Sequence, residues 1–327
     1  MQCAARRRCT PPGWRGTADE LLSAPLRSAG GCPGCLSSSL CRLMERLFAP
    51  AKLNLGLWIL GRRPDGYHEL LSLMIPLTLG DELVAEPSAQ LQIEYRPAHH
   101  FDRDLVWEAA QRLRAETKVR QGAKILVHKR IPVGAGLGGG SSDAAATLHL
   151  LNRLWHTGLS LERLIVLGRE LGSDVPFFLL RRAALVRGRG ERVEPLALRL
   201  PYWFLILYPG FAIATAWAYK QLGCPPGIRE EPAIPWHELL WRLERDPALL
   251  ERVFRNEFEP MLFRHYPQLR TLRDELRRVG ALYAAVTGSG SAVFGVFDSE
   301  HAAQRAARRW GGTLQSFVCQ MFTETQP

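Results

Sequence analysis

The stretch that decides the fold is PVGAGLGGGSSDAAA, residues 132–146. Glycine and serine occupy most positions from Gly134 to Ser142, and three alanines follow. The segment KILVHKRI (124–131) before it predicts a strand, and the apolar spacing after it predicts a helix that begins near Ser142. A flexible linker would lie between polar, aperiodic segments. This loop therefore joins two packed elements.

Two well-known glycine loops do not fit this stretch. The letters GAGLGG (134–139) match G-x-G-x-x-G, but a dinucleotide-binding unit needs one helix and then a second strand, whereas helical patterns here continue to about Leu180. A Walker loop needs G-K-[ST], and no lysine is present. What remains is a different phosphate cradle, in which glycines let backbone N–H groups approach an anion in front of a helix N-terminus. A tight turn without a ligand stays open as the alternative.

The loop and four further segments, in the same order, resemble the GHMP kinases. The segments are APAKLNLGLWILGRRPDGYHEL (49–70), LGSDVPFF (171–178), YPGFAIATAWAY (208–219) and TGSGSAVF (287–294). The resemblance extends from about Phe48 to the C-terminus and implies an α+β, two-domain GHMP kinase fold. Its N-terminal domain would be like domain 2 of ribosomal protein S5 and its C-terminal domain would be ferredoxin-like. We expect the first domain at 44–198, the second at 199–327, and an extension at 1–43.

The segments PAKLNL and RPDGYHEL are similar to one branch of this family in particular. That branch transfers a phosphoryl group from ATP, with Mg²⁺, to the 2-hydroxyl of 4-diphosphocytidyl-2-C-methyl-D-erythritol, a step of non-mevalonate isoprenoid synthesis. The alternatives are another GHMP kinase, of the homoserine or mevalonate type, and a non-catalytic nucleotide-binding or RNA-binding protein. The net charge of +10 indicates anionic partners but does not choose among them.

Lys52 and Asp174 are the candidate catalytic residues. Apolar residues alternate from Ala51 to Ile59, which predicts a strand with one buried face and with Lys52 and Asn54 together on the other. Asp174 precedes Val-Pro at a predicted helix start. From the residues alone, a solvated strand face and a helix cap remain possible. The resemblance implies that Asp174 is the base and that Lys52 polarises the acceptor hydroxyl and holds phosphate.

The resemblance also implies the binding residues, although Tyr67 and His68 alone could equally be a buried aromatic residue and a satisfied histidine. The position of Asp104 carries asparagine in the family; since a carboxylate can only accept hydrogen bonds, Asp104 is left out of the predicted adenine site. Metal ligands are not assigned. The implied ATP contacts are Lys129, Pro132, Val133, Gly134, Ala135, Gly136, Leu137, Gly138, Gly139, Gly140, Ser141 and Ser142, and the implied substrate contacts are Asn54, Tyr67, His68, Thr215, Tyr219, Gly288, Ser289 and Gly290.

Composition and cysteine usage set the remaining expectations. Five of the seven cysteines precede Met44, which predicts no disulfide framework in the body of the chain and a cytoplasmic protein. Residues 1–43 are Arg-rich, and we interpret them as a disordered extension or a start assigned upstream of Met44, with a targeting peptide as the alternative. No nucleic-acid or membrane partner is expected, and the protein should be a monomer or a weak homodimer.

Two further segments carry secondary-structure predictions. Residues 201–219 lack charge but contain Pro209-Gly210, which predicts two strand-like segments around a turn and not a membrane span. Residues 70–87 are predicted to form a strand, a turn and a second strand.

Overall fold

A long antiparallel hairpin forms the centre of the fold. The computed structural model describes residues 44–223 and 227–323, so the predicted extension at 1–43 lies outside the described residues. Strand β1 (Glu45–Arg62) pairs with β2 (His68–Ser88) along almost its whole length. The turn between them confirms the turn chemistry of Pro64-Asp65-Gly66: Gly66 has a φ of 86°, and the Asp65 carboxylate accepts the Tyr67 N–H at 3.1 Å.

The prediction of a turn inside residues 70–87 is wrong, because β2 continues through Gly80 without a break. Gly80 faces Pro50 of β1, and a Cβ at this position would lie 2.5 Å from the Ala49 carbonyl oxygen. This glycine therefore allows two strands to approach each other closely and does not mark a turn.

The predicted alternation of β1 is correct for half of the strand. Ala51, Leu53 and Leu55 pack in one apolar cluster, but Leu57 and Ile59 pack in the other. A shift of register between Asn54 and Gly56 inserts an extra residue and exchanges the two faces. Both faces are buried, so the interpretation of Lys52 as part of a solvated strand face is wrong.

The hairpin is the core of a seven-stranded sheet. Its order is β3-β4-β2-β1-β8, with β5 paired to β2 and β6 paired to β5, and every pair except β3-β4 is antiparallel. Four helices and one face of the sheet share an apolar cluster. The further strands are β3 (Gln92–Arg96), β4 (Gly122–His128), β5 (Ala184–Gly188), β6 (Arg192–Pro195) and β8 (Gly227–Ile228), and the helices are α1 (Leu105–Thr117), α2 (Gly139–Leu154), α3 (Leu161–Leu171) and α4 (Val175–Leu180).

Helix α2 begins at Gly139, earlier than the start predicted near Ser142. Gly138 precedes it with a φ of 75°, a left-handed conformation that ends the loop and turns the chain into the helix. The three alanines of the quoted stretch are buried along α2, which allows this helix to pack closely.

The second sheet has four antiparallel strands in the order β11-β7-β10-β9. Strands and helices alternate along the chain as βαββαβ, the ferredoxin-like arrangement that was expected. The strands are β7 (Trp203–Tyr208), β9 (Tyr283–Val286), β10 (Val293–Phe297) and β11 (Gln315–Gln320), and the helices are α5 (Thr215–Gln221), α6 (Trp236–Leu243), α7 (Ala248–Val253), α8 (Glu259–His265), α9 (Pro267–Arg278) and α10 (Glu300–Ala307).

The second half of residues 201–219 contains the start of a helix at Thr215, not the predicted strand. Pro209-Gly210 ends β7, and the chain leaves the sheet there. With no neighbouring strand to bond, residues 215–221 form helix α5, whose hydrogen bonds are internal. Of this helix only Ala218 is fully buried. In the described part of the chain, no helix is both long and apolar enough to cross a membrane.

The two sheets share the second apolar cluster, which includes Leu53 and Leu73 from the first sheet and Phe204 and Phe294 from the second. Hydrogen bonds also cross between them, since the Tyr283 hydroxyl donates to the Leu55 carbonyl at 3.2 Å. The predicted domain boundary at 198/199 falls between β6 and β7, and it stays a prediction.

Candidate active site

A cleft of about 810 Å³ brings together residues from distant parts of the chain. Of the predicted site residues, Leu137, Ser142 and Gly290 do not line it. Those that do are Lys52, Asn54, Tyr67, His68, Lys129, Pro132, Val133, Gly134, Ala135, Gly136, Gly138, Gly139, Gly140, Ser141, Asp174, Thr215, Tyr219, Gly288 and Ser289.

The glycine loop offers a row of unused backbone donors to this cleft. Gly134, Gly136 and Gly138 all have positive φ, between 68° and 79°. Nowhere in residues 44–223 and 227–323 is there an acceptor for the backbone N–H groups of residues 134–141. The last of these groups belong to the first turn of α2, whose N-terminus carries partial positive charge. The loop therefore has the geometry of an anion site.

The glycine loop packs directly on the second small-residue loop, residues 287–291. The Ala292 N–H donates to the Ala135 carbonyl at 3.0 Å. A Cβ at Gly136 would lie 2.4 Å from the Thr287 carbonyl oxygen, and a Cβ at Gly134 would lie 2.4 Å from the Cβ of Ala212. Gly136 is required because backbone packs on backbone there, and Gly134 is required because the methyl group of Ala212 occupies the place of a side chain.

Lys52 lies in the middle of β1 with its ammonium group held inside the cleft. The ammonium donates to the Asn54 side-chain oxygen, the Asn54 amide donates to the Ser72 hydroxyl at 2.7 Å, and Ser72 in turn donates to the Gly56 carbonyl at 2.7 Å. Burial lowers the pKa of Lys52, and the nearby Asp174 carboxylate acts in the opposite direction. The sequence missed Ser72, which looks like any serine in an apolar strand.

Asp174 stands immediately before α4, but its side chain does not cap that helix. The interpretation of Asp174 as a structural cap is therefore wrong. Its carboxylate lines the cleft together with the Lys52 ammonium. A carboxylate next to a fixed cation can accept or orient a hydroxyl proton while the cation stabilises the developing negative charge.

Lys129 lies at the edge of the cleft between two carboxylates. Its ammonium is 2.5 Å from Asp81 and 2.6 Å from Asp143, and all three side chains are almost completely buried. Burial opposes the charge on Lys129, but Asp143 and Asp81 together raise the pKa of this lysine. Burial raises the pKa of Asp143 well above its ordinary value, against the effect of Lys129. This buried cluster joins β2, the segment after β4, and α2 beneath the glycine loop.

A group of aromatic side chains lines another part of the cleft, which we call its aromatic end. The His68 ring stacks on Tyr219 with 4.9 Å between ring centroids, while Tyr67 remains about half exposed. Burial, with the nearby Arg62, lowers the pKa of His68, so its imidazole is neutral near pH 7 and offers one donor and one acceptor. The Thr215 hydroxyl lies 3.1 Å from that of Ser289 and connects α5 to the second loop.

Sequence reasoning missed three cationic side chains that line the cleft: Arg62, Arg189 and Lys220. They come from separate segments, and nothing in the local sequence marks them as a group. Among the described residues, no cluster of three or more His, Cys, Asp or Glu side chains could hold a metal ion.

Asp104, the departure from the family pattern, is used as a helix cap. Its carboxylate accepts the N–H groups of Val106 and Trp107 at 3.0 Å and the Tyr95 hydroxyl at 2.7 Å. This carboxylate is absent from the residues that line the cleft, whereas the next residue, Leu105, lines it.

Comparison with known proteins identifies the family. Residues 104–182 match the GHMP kinases N terminal domain, and residues 238–315 match the GHMP kinases C terminal domain. The chain is 42% identical to a 4-diphosphocytidyl-2-C-methyl-D-erythritol kinase of Prosthecochloris aestuarii over 272 residues, which are 82% of this chain and 94% of that relative. The chain belongs to the GHMP kinases. It is thus a small-molecule kinase that uses ATP, as the resemblance implied.

Solved structures of GHMP kinases also match this chain. A crystal structure of a 4-(cytidine 5'-diphospho)-2C-methyl-D-erythritol kinase is 37% identical, with a TM-score of 0.72, and the match covers 85% of this chain and all of that one. A homoserine kinase from Cytophaga hutchinsonii is 20% identical with a TM-score of 0.66, over 86% of this chain and 95% of that one, and shows the fold alone. The two-domain fold is confirmed, and the homoserine-type, mevalonate-type and non-catalytic alternatives are not favoured.

Proposed function

We propose that this GHMP kinase transfers the γ-phosphoryl group of ATP to the 2-hydroxyl of 4-diphosphocytidyl-2-C-methyl-D-erythritol. The observation that carries the proposal is a single cleft that brings Lys52 and Asp174 together with the free N–H groups of the glycine loop and with the aromatic end. A phosphate chain at one end and a nucleoside at the other would place an acceptor hydroxyl between them. The names of the relatives support the choice of substrate.

In the proposed mechanism Asp174 accepts the proton of the acceptor hydroxyl as it attacks the γ-phosphate. Lys52, oriented by Asn54, stabilises the negative charge that develops on the transferred group. The N–H groups of residues 134–141 hold the phosphates of ATP, and the glycines of the second loop leave room for the phosphates of the substrate. Such positioning supplies most of the catalysis in phosphoryl transfer.

Mg²⁺ fits this cleft as an ion that is held mainly by the nucleotide. The Ser141 hydroxyl lines the cleft and would supply a ligand, since Mg²⁺ commonly takes one or two protein oxygens with substrate phosphates. When bound, it neutralises charge on the phosphate oxygens. Ser142 is not available, because it is buried and does not line the cleft; its hydroxyl donates to the Pro50 carbonyl at 2.7 Å.

The cytidine end would be read by Tyr67, His68 and Tyr219. An aromatic ring that stacks on the base gives affinity without choosing among bases, whereas hydrogen bonds from the neutral His68 and from backbone groups give the choice. The methylerythritol group would be placed against Asn54, which accepts a hydrogen bond from Lys52, and against Thr215, whose hydroxyl lies 3.1 Å from that of Ser289.

Release of ADP from ATP and Mg²⁺, measured with a panel of acceptors, tests the proposal. The panel contains 4-diphosphocytidyl-2-C-methyl-D-erythritol, homoserine and mevalonate. We expect turnover with the first alone, and its loss in Asp174→Asn. Turnover with homoserine or mevalonate would overturn the substrate while keeping the kinase mechanism.

A further inference from the structure

Two turns meet at the substrate end of the cleft, although they are far apart in sequence. The first turn, residues 63–67, joins β1 to β2, and the second, residues 189–191, joins β5 to β6. The guanidinium of Arg189 lies over the ring of Tyr67, 4.9 Å from its centroid, and both side chains line the cleft. In the part of the chain that the structure describes, no carboxylate forms an ion pair with Arg189.

One buried carboxylate, Glu69, holds both turns. It accepts a hydrogen bond from the Arg63 guanidinium at 2.7 Å on the side of the first turn. On the side of the second turn it accepts the Gly188 N–H at 3.2 Å and a hydrogen bond from Arg192. Only 7% of Glu69 is exposed, and charge-assisted bonds in such surroundings fix geometry strongly.

The second turn also reaches the catalytic residues. A Cβ at Gly190 would lie 3.1 Å from the Cβ of Ser173 and 3.6 Å from a carboxylate oxygen of Asp174. The turn that carries Arg189 is therefore packed between the aromatic end of the cleft and the proposed base.

We infer that Arg189 is a substrate-binding residue and that Glu69 is the positioning residue that places it over Tyr67. Arg189 and Tyr67 form a clamp for a ligand that is both aromatic and anionic. Tyr67 stacks on the base, and the Arg189 guanidinium, which has no ion-pair partner among the described residues, binds the diphosphate. The inference rests on the proposed function, because a nucleoside diphosphate substrate is the ligand of that chemistry. ATP would bind at the other end of the cleft, so its binding should not depend on Arg189 or Glu69.

Steady-state kinetics of Arg189→Ala and Glu69→Gln test the inference. We expect Arg189→Ala to raise KM for 4-diphosphocytidyl-2-C-methyl-D-erythritol about 3-fold to 30-fold, which corresponds to the loss of one charge-assisted contact between the guanidinium and the diphosphate. The value of kcat and KM for ATP should stay within about twofold of the wild type. Glu69→Gln should raise the same KM, since glutamine cannot hold two guanidinium groups as a carboxylate does.

The double variant separates positioning from a purely structural role. If Glu69 acts through Arg189, the effects on KM will be less than additive in Glu69→Gln/Arg189→Ala. The matched control is Glu82→Gln, which removes an exposed ion pair of 2.9 Å with Arg46 on the same hairpin and should leave KM unchanged. Thermal melting verifies that each variant is folded.

The outcomes separate this inference from the function on which it rests. An unchanged KM for the cytidine substrate in folded Arg189→Ala would overturn the clamp while leaving the kinase assignment intact. Additive effects in the double variant would overturn the positioning role of Glu69. A wild-type protein that neither turns over this substrate nor binds CDP in calorimetry would overturn the proposed function, and the clamp with it.

Discussion

Replacing Gly136 by alanine tests whether the close packing of the two small-residue loops on each other fixes the geometry of the cleft. Gly136 has a φ of 79°, and a Cβ there would lie 2.4 Å from the Thr287 carbonyl oxygen and 2.9 Å from that of Gly290. Ordinary contact begins at 3.4 Å, so the loops must separate by about 1 Å (3.4 − 2.4). A misplacement of about 1 Å in a catalytic site can cost about 100-fold in rate.

Gly158→Ala is the matched control. Gly158 has a φ of 67°, but no atom lies within 4 Å of the position of its Cβ. Both variants incur the left-handed strain of about 1–2 kcal/mol. Gly136→Ala adds an overpacking cost of about 1–3 kcal/mol, so we expect its free energy of unfolding to fall by about 2–5 kcal/mol.

The assay is ADP release at varied ATP, combined with thermal melting. Gly158→Ala should melt about 2–8 °C below the wild type, with unchanged kinetics. Gly136→Ala should lose at least about tenfold in kcat/KM for ATP, because the N–H groups of the loop no longer converge on the phosphates. Wild-type kinetics in Gly136→Ala would refute the close packing of the two loops.

Three further predictions concern charged groups. Asp174→Asn should lower kcat by about 10²-fold to 10⁴-fold with a melting temperature close to that of the wild type, because its side chain makes no cap bond; a large loss of stability would contradict this. Since the pKa of Lys52 is lowered, the alkaline limb in the pH profile of kcat/KM should fall at a pH below 10.5, the ordinary pKa of lysine. This limb should disappear in Lys52→Arg, and an identical limb in that variant would exclude Lys52 as its origin. The pKa of Asp143 is raised in the folded state, so this carboxyl group makes the wild type less stable as pH rises above 3.8. In urea unfolding, Asp143→Asn should therefore gain stability relative to the wild type as pH rises, whereas Lys129→Met, which leaves two buried carboxylates without their cation, should lose about 3–5 kcal/mol. A loss of stability in Asp143→Asn with none in Lys129→Met would refute the shared ion pair.

The parts of the site that the sequence predicted are those in which function depends on local backbone chemistry. The glycine loop was recognisable because its left-handed residues and its helix N-terminus are consecutive in the chain. Lys52 and Asp174 also stand in short motifs. Their placement in one cleft followed from the family resemblance, since Asp174 is 122 positions after Lys52 in the chain.

The features that the sequence did not predict depend on contacts between distant segments. Glu69 bonds Arg192, 123 positions away, and Lys129 bonds Asp81, 48 positions away. No local pattern distinguishes such charges from charges on the surface.

The errors in secondary structure have the same origin. Gly80 resembled a turn because its close approach to β1 is invisible in the sequence, and α5 resembled a strand because the sequence does not show that the chain leaves the sheet after Pro209-Gly210. The exchange of faces in β1 comes from a bulge that is defined only by the register with β2.

The most direct test of the central claim is a phosphorus-31 NMR spectrum of the product formed from ATP, Mg²⁺ and 4-diphosphocytidyl-2-C-methyl-D-erythritol. We expect one new phosphomonoester on the tertiary 2-hydroxyl, an intact cytidine diphosphate linkage, and one ADP per product. A spectrum in which ATP is consumed without a new phosphomonoester, or in which the diphosphate linkage is cleaved, would contradict the transfer that we propose for Lys52 and Asp174.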